Sequence, residues 1–389
     1  MKVKVSGKPT RGKLFLIITG GGAVVGFMLL VVSLFADPGS WQRLEYNTAP
    51  VSVPVFRVTH LPTPTPVKAV YLTSWVAGTP SLRNRLVTLI DSTELNSVVI
   101  DVKDYTGRIA FMTDDTILNE SGAVEERIKD IKDFVRSLHE KDIYVIGRVS
   151  VFQDMYFVGQ YPEFAVHRKF DGRVWKDRKG IGWLEVGATP VWEYAVRIAR
   201  AAHAVGFDEI NFDYIRFPSD GDMGDISYRH FDPAKETRAQ ALKRFYAYLS
   251  LELGPLNLPI SADLFGLTTT SFDDLGIGQV LADAAPYFDY LAPMVYPSHF
   301  ASGFLNFSNP AAHPYEVVRH SMSEAAQRLT AASSTPVKLR PWLQDFDLGA
   351  DYTAEMIRAQ IQATYDAGLT SWMLWSPSNR YTSAALDKN

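Results

Sequence analysis

From Ala69 onward, short apolar runs alternate with stretches of helical period. The runs are Ala69–Trp75, Ser97–Lys103, Tyr144–Val151, Glu209–Phe217, Pro259–Phe265, Tyr290–Tyr296, Val337–Leu343 and Ser371–Trp375. They are short, rich in β-branched and aromatic residues, and bounded by turn formers, so each predicts a buried strand. Between them, apolar residues recur every three or four positions near 81–90, 125–141, 191–204, 233–253, 278–285, 315–332 and 354–367, which predicts helices. Eight strands, the first seven each followed by a helix, predict a (β/α)8 TIM barrel over 67–389. A doubly wound sheet is the alternative, but no Gly-rich dinucleotide fingerprint follows any strand. Only 382–388 remain for a last helix, so the preceding linker is expected to cover that gap.

Before the barrel the pattern changes. Leu14–Phe35 is apolar apart from Thr19, Ser33 and small glycines. It is as long as the ~20 residues that span a bilayer as a helix. Lys2, Lys4, Lys8, Arg11 and Lys13 precede it without an acid. The expectation is a basic cytoplasmic tail over 1–13, a transmembrane signal anchor over 14–36 and a barrel outside the cell membrane. A cleaved signal peptide is the rival; its apolar region is normally shorter, and Leu34-Phe35-Ala36 is a poor cleavage pattern. Six prolines between Pro38 and Pro66 predict an extended linker over 37–66.

Charge and composition narrow the partners. The net charge is −4, and the body is more acidic still once the basic tail is set aside, which argues against nucleic acid. There is no cysteine, which excludes disulfides, thiolate metal sites and thiol nucleophiles. The eight histidines show no metal-ligand spacing, so no metal or other cofactor is expected.

In a barrel, chemistry sits where strands end. Strand side chains alternate, so Asp101 and Lys103 share a face at the end of strand two. Asn211 and Asp213 do so on strand four, and Ser261 and Asp263 on strand five, with Phe212 and Tyr214 turned to the helices. Met294 and Tyr296 end strand six, with His299 just beyond; Arg340, Trp342 and Gln344 align on strand seven, leaving Asp345 opposite; Arg148 and Trp375 end strands three and eight. Asp213 and Asp263 are thus expected to point inward from adjacent strands. A paired acid and carboxylate is what glycoside hydrolysis needs. Lys103 and Arg216 are expected to keep carboxylates ionised, and Tyr296, Trp342 and Trp375 to meet sugar rings. The aromatic segment from Phe152 to Trp183 is either a wall of sugar subsites or a small core of its own.

Asn211-Phe-Asp-Tyr-Ile-Arg-Phe-Pro-Ser-Asp-Gly221 resembles the signature of the glycosyl hydrolase domain family DUF4015. Ala69-Val-Tyr-Leu-Thr, Val99-Ile-Asp-Val-Lys-Asp, Leu291-Ala-Pro-Met-Val-Tyr-Pro-Ser-His and Arg340-Pro-Trp-Leu-Gln-Asp-Phe extend the resemblance over about 67–381. It implies a TIM-barrel hydrolase whose nucleophile, or oxocarbenium stabiliser, is Asp213. The acid/base maps to Asp263, with Asp345 and Asp101 as alternatives. Trp183-Leu-Glu-Val-Gly-Ala-Thr-Pro departs from relatives, where an Asp and an Asn-Pro are expected. The combined expectation is a glycosidase acting on an extracellular or envelope polysaccharide. The rival is a non-catalytic anchored barrel that binds glycan or scaffolds other proteins. Convergence of Asp213 and Asp263 in an open cleft separates the two.

Overall fold

The computed structural model describes residues 58–389. Eight parallel strands close into a barrel: β1 (Lys68–Leu72), β2 (Ser97–Lys103), β3 (Tyr144–Ser150), β4 (Glu209–Asp213), β5 (Ile260–Phe265), β6 (Tyr290–Met294), β7 (Trp342–Gln344) and β8 (Trp372–Trp375). Neighbours in the ring are neighbours in sequence, and β8 pairs with β1. A covering helix follows each of the first seven strands: α1 (Pro80–Asp91), α2 (Ile131–His139), α3 (Thr189–Ala204), α4 (Arg238–Leu253), α5 (Leu281–Ala284), α6 (Pro314–Ala331) and α7 (Ala354–Asp366), with shorter helices in the loops.

Sequence causes are visible in each layer. The strands are buried on both faces because helices cover the outside and side chains fill the inside. On β2, Val98, Ile100 and Val102 join the cluster facing the helices, and Val99 joins the interior cluster with Ala69, Tyr71, Ile146, Trp342 and Met373. On α2, Ile131, Phe134, Val135 and Leu138 fall on one stripe and are buried. A capping box from Thr237 and Gln240 starts α4.

Three features depart from the predicted layout. No α-helix follows β8 among the described residues. The C-terminal tail occupies that place: the Glu94 N–H donates to the Asp387 carbonyl at 2.9 Å, and Arg358 pairs with Asp387. The described part of the linker does not cover the gap. Its residues 58–66 instead close the barrel floor, where the Leu61 N–H donates to Asp208 Oδ1 at 2.7 Å and Thr63 Oγ1 meets the Tyr144 hydroxyl at 3.0 Å. Finally, the buried rings of the 151–190 segment form no separate core and join the one that the helices share with the barrel. Phe152, Trp175 and Trp183 are buried in it, and short strands at His167–Arg168 and Ile226–Ser227 pair with each other. The predicted tail, anchor and the linker up to residue 57 lie outside the described residues. Among the described residues, no helix is long and apolar enough to cross a membrane.

Candidate active site

Four ionisable side chains meet at the C-terminal mouth of the barrel. Arg148, at the end of β3, donates from Nη1 to Asp101 Oδ1 at 2.7 Å and from Nη2 to Asp213 Oδ2. Its Nε lies 3.7 Å from Asp263 Oδ2. The register explains this meeting. Arg148 is level with Asp101 on β2 and Asn211 on β4, and β5 pairs next to β4 with Ser261 level with Asn211. A single guanidinium bridging Asp213 and Asp263 holds their nearest oxygens inside the ~9.5 Å upper bound of two-carboxylate glycosidases. The cleft above them has a volume of about 600 Å³ and is lined by Asp213, Asp263, Arg148, Tyr214, Arg216, Tyr296, His299 and Trp375, among others.

Asp213 is fixed from two sides. Besides Arg148, the N–H of the next residue, Tyr214, donates to its Oδ1 at 2.5 Å. β4 ends at Asp213, and the chain turns at the next residue. Tyr214 has φ of 52°, a left-handed conformation that costs a non-glycine residue about 1–2 kcal/mol. Strained backbone of this kind concentrates at functional sites. The turn also overturns the expected orientation of Tyr214: it leaves the strand pattern and joins the cleft wall.

Asp263 is in a different state. It is 1% exposed, and its Oδ1 accepts from Asn211 Nδ2 at 2.9 Å and Trp342 Nε1 at 2.7 Å. Burial pushes its carboxyl up to about 8, and the negative charge of Asp213 adds to the rise. Arg148 and the two hydrogen bonds oppose that rise without cancelling it. Near pH 7 the cleft therefore presents one neutral carboxyl, Asp263, beside the Arg148-bound Asp213. Gly266, just past β5, makes this packing possible. A Cβ there would collide with the Met294 carbonyl at the end of β6.

The walls are aromatic. Trp375 stacks on Tyr71 with centroids 4.0 Å apart, and Arg148 lies 5.0 Å from the Trp375 centroid. The Tyr71 hydroxyl donates to Asp101 Oδ2 at 2.5 Å. Burial holds the His299 pKa below its usual value.

Other predicted site residues lie behind or away from the cleft. Lys103 does not share a face with Asp101, because the β2–β3 register shifts between them. Lys103 is buried outside the barrel, 2.5 Å from Asp154. Neither it nor Arg216 neutralises the paired carboxylates; Arg148 does. Trp342 and Asn211 are buried beneath Asp263 and reach it, not the cleft. Gln344 braces two loops, accepting from Ser298 Oγ at 2.9 Å and donating to the Phe346 carbonyl at 2.9 Å. Asp345 is tied to the tail by the Thr382 N–H and hydroxyl, both at 2.9 Å. Asp101 sits under the cleft as a partner of Arg148 and Tyr71. Glu185, where the departure from relatives was noted, accepts the Arg229 and His230 N–H groups and pins a loop.

Sequence reasoning did not single out Lys179, Phe265, Leu267, Phe346 or Pro377, which also line the cleft. Leu267, Phe346 and Pro377 lie just past β5, β7 and β8, where period-2 alternation no longer applies, whereas Phe265 ends β5 and Lys179 lies far along the loop after β3. Alternation puts Phe265 on the face of Asp263; for the others the only signal was a place in a post-strand loop.

No curated protein matches the chain in sequence. Among solved structures, a hypothetical protein from Ruminiclostridium thermocellum ATCC 27405 is 30% identical over 54% of this chain and 98% of its own, with a TM-score of 0.46. The PgaB (BpsB) glycoside hydrolase domain from Bordetella bronchiseptica has a TM-score of 0.58 at 13% identity, covering 80% of this chain and 94% of that one. An alpha-L-fucosidase isoenzyme 2 from Paenibacillus thiaminolyticus has a TM-score of 0.55 at 11% identity, covering 82% of this chain and 47% of that one. The last two show a shared fold. Residues 69–381 match the family described as "Putative glycosyl hydrolase domain", and the chain belongs to that family.

Proposed function

We propose that this protein is a glycoside hydrolase that cleaves O-glycosidic bonds of a polysaccharide with Asp213 and Asp263. The observation that carries the reading is the unequal pair: a neutral Asp263 and an Arg148-bound Asp213 in one cleft. Glycoside hydrolysis needs a protonated acid for the leaving oxygen and a carboxylate for the oxocarbenium-like centre. Asp263 donates its proton to the departing oxygen. Asp213, oriented by Arg148 and the Tyr214 N–H, faces the anomeric carbon as nucleophile or as stabiliser of its positive charge. Trp375 and Tyr296 offer ring faces to the sugar. Family membership and the fold shared with a glycoside hydrolase domain support this assignment.

The basic tail and the apolar run before residue 36 support a place for the barrel on the outer side of a membrane, where polysaccharide is met. The test is reducing-sugar release from a panel of envelope and plant polysaccharides by wild type and Asp213→Asn. Release by wild type and loss in the variant is the expected result. A glycan retained by both proteins and cleaved by neither favours a non-catalytic binding barrel.

A further inference from the structure

The cleft contains two cations without anions. Arg216 is 8% exposed, and its guanidinium packs over the rings of Trp183 and Phe265, 4.6 Å from each centroid. Its Nη1 donates to the Phe217 carbonyl at 3.0 Å and to Ser219 Oγ at 3.1 Å, both neutral acceptors. Among the described residues no carboxylate forms an ion pair with it. Asp213, Asp220 and Asp177 act on it only from a distance, and desolvation draws its pKa below the usual arginine value. Other buried cations here are neutralised: Arg148 by Asp101 and Asp213, Lys103 by Asp154, Arg340 by Glu209. A buried charge without a counter-ion is costly, and an arginine does not escape by losing its proton.

Lys179 reaches the same cleft from the loop after β3. Asp177 shapes its turn, accepting the N–H groups of Lys179 and Ile181 at 2.9 Å through Oδ1. Asp177 Oδ2 accepts from Trp183 Nε1 at 3.0 Å, so one carboxylate anchors both the lysine turn and a wall of the arginine slot. No carboxylate among the described residues pairs with the Lys179 ammonium. The local charge also leaves room for an anion. Asp263 is neutral near pH 7, and Arg148 is shared by two acids.

We propose that Arg216 and Lys179 form a subsite for an anionic sugar substituent, a carboxylate or a sulfate ester, so that the substrate is an acidic polysaccharide. The inference rests on the glycosidase reading, because the subsite shares its cleft with Asp213 and Asp263. Packing over both rings and the two Nη1 hydrogen bonds hold the guanidinium in place, and a fixed fork suits oxyanion recognition. When the anion binds, it supplies the counter-ion that the fold leaves out.

The test compares kcat/KM of the full chain on polygalacturonate, alginate, their carboxyl-reduced derivatives, a sulfated glycan and a neutral glucan. The charged form is expected to be favoured over its reduced counterpart by about ten- to hundredfold, the range of a charge-assisted contact. Preference for carboxylate or for sulfate identifies which source the site takes. Arg216→Gln is expected to bring that ratio close to one. Lys179→Met, at an exposed position that tolerates substitution, is expected to reduce it several-fold. Equal cleavage of charged and reduced glycans overturns the subsite and leaves the hydrolase reading intact. Absence of cleavage, with oligogalacturonate binding by calorimetry that Arg216→Gln abolishes, upholds the subsite and sinks the hydrolase reading. Neither cleavage nor binding of any charged glycan overturns the proposal.

Discussion

Replacing Asp263 by Asn isolates the consequence of burying an acid beside a carboxylate. Asn keeps a carbonyl oxygen for Asn211 and Trp342 and fills nearly the same space, but it does not ionise. In wild type, the folded-state value of about 8 lies well above the ~3.9 of an unfolded aspartate. Between these values the folded chain holds a proton that the unfolded chain has released. Stability contributed by the neutral acid is therefore full below about pH 4 and is lost as pH rises toward 8. The slope from this one group is about 1.4 kcal/mol per pH unit, or about 3 kcal/mol between pH 5 and 7.5. Solvent screening does little to reduce that figure, because Asp263 is 1% exposed. Urea unfolding of both proteins at pH 5, 6, 7 and 7.5 reads it directly. The stability of the variant relative to wild type should climb with pH by about that amount. Parallel curves would show that Asp263 is ionised throughout and would refute the reasoning.

Other perturbations test neighbouring links. Trp342→Phe removes a donor that favours ionised Asp263, so the alkaline limb of the pH–rate profile should move up by about one pH unit, read from kcat/KM between pH 5 and 10. Arg148→Met leaves Asp101 and Asp213 buried without their counter-ion and should cost about 3–5 kcal/mol in urea unfolding, with Arg148→Lys recovering part of it. Lys103→Met breaks the buried pair with Asp154 at a similar cost. Below its melting point, however, it should keep wild-type kcat/KM, because Lys103 lies outside the cleft; a large loss there would place it back in the site.

Much of the fold was legible because strands buried on both faces and amphipathic helices leave different periods in sequence. Ser97–Lys103 matched its strand at both ends, and the inward pairing of Asp213 with Asp263 followed from alternation alone. Alternation failed where the backbone leaves the regular pleat. The register shift on β2 turned Lys103 outward, and the left-handed turn at Tyr214 brought that ring into the cleft. Arg148 was visible as a strand end, but its bridging of Asp101 and Asp213 depends on three strands being level, which no single segment encodes. The aromatic segment after β3 offered both a wall and a core. Phe152, Trp175 and Trp183 joined the core shared with the barrel rather than a core of their own, and Lys179 faces the cleft.

The division of labour between Asp213 and Asp263 is tested most directly by carbon-13 NMR of aspartate-labelled protein titrated from pH 5 to 9. One carboxyl resonance should titrate near pH 8 in wild type and be missing from Asp263→Asn. If every aspartate has finished titrating by pH 6, the cleft holds two ionised carboxylates at neutral pH, and Asp263 is not the acid.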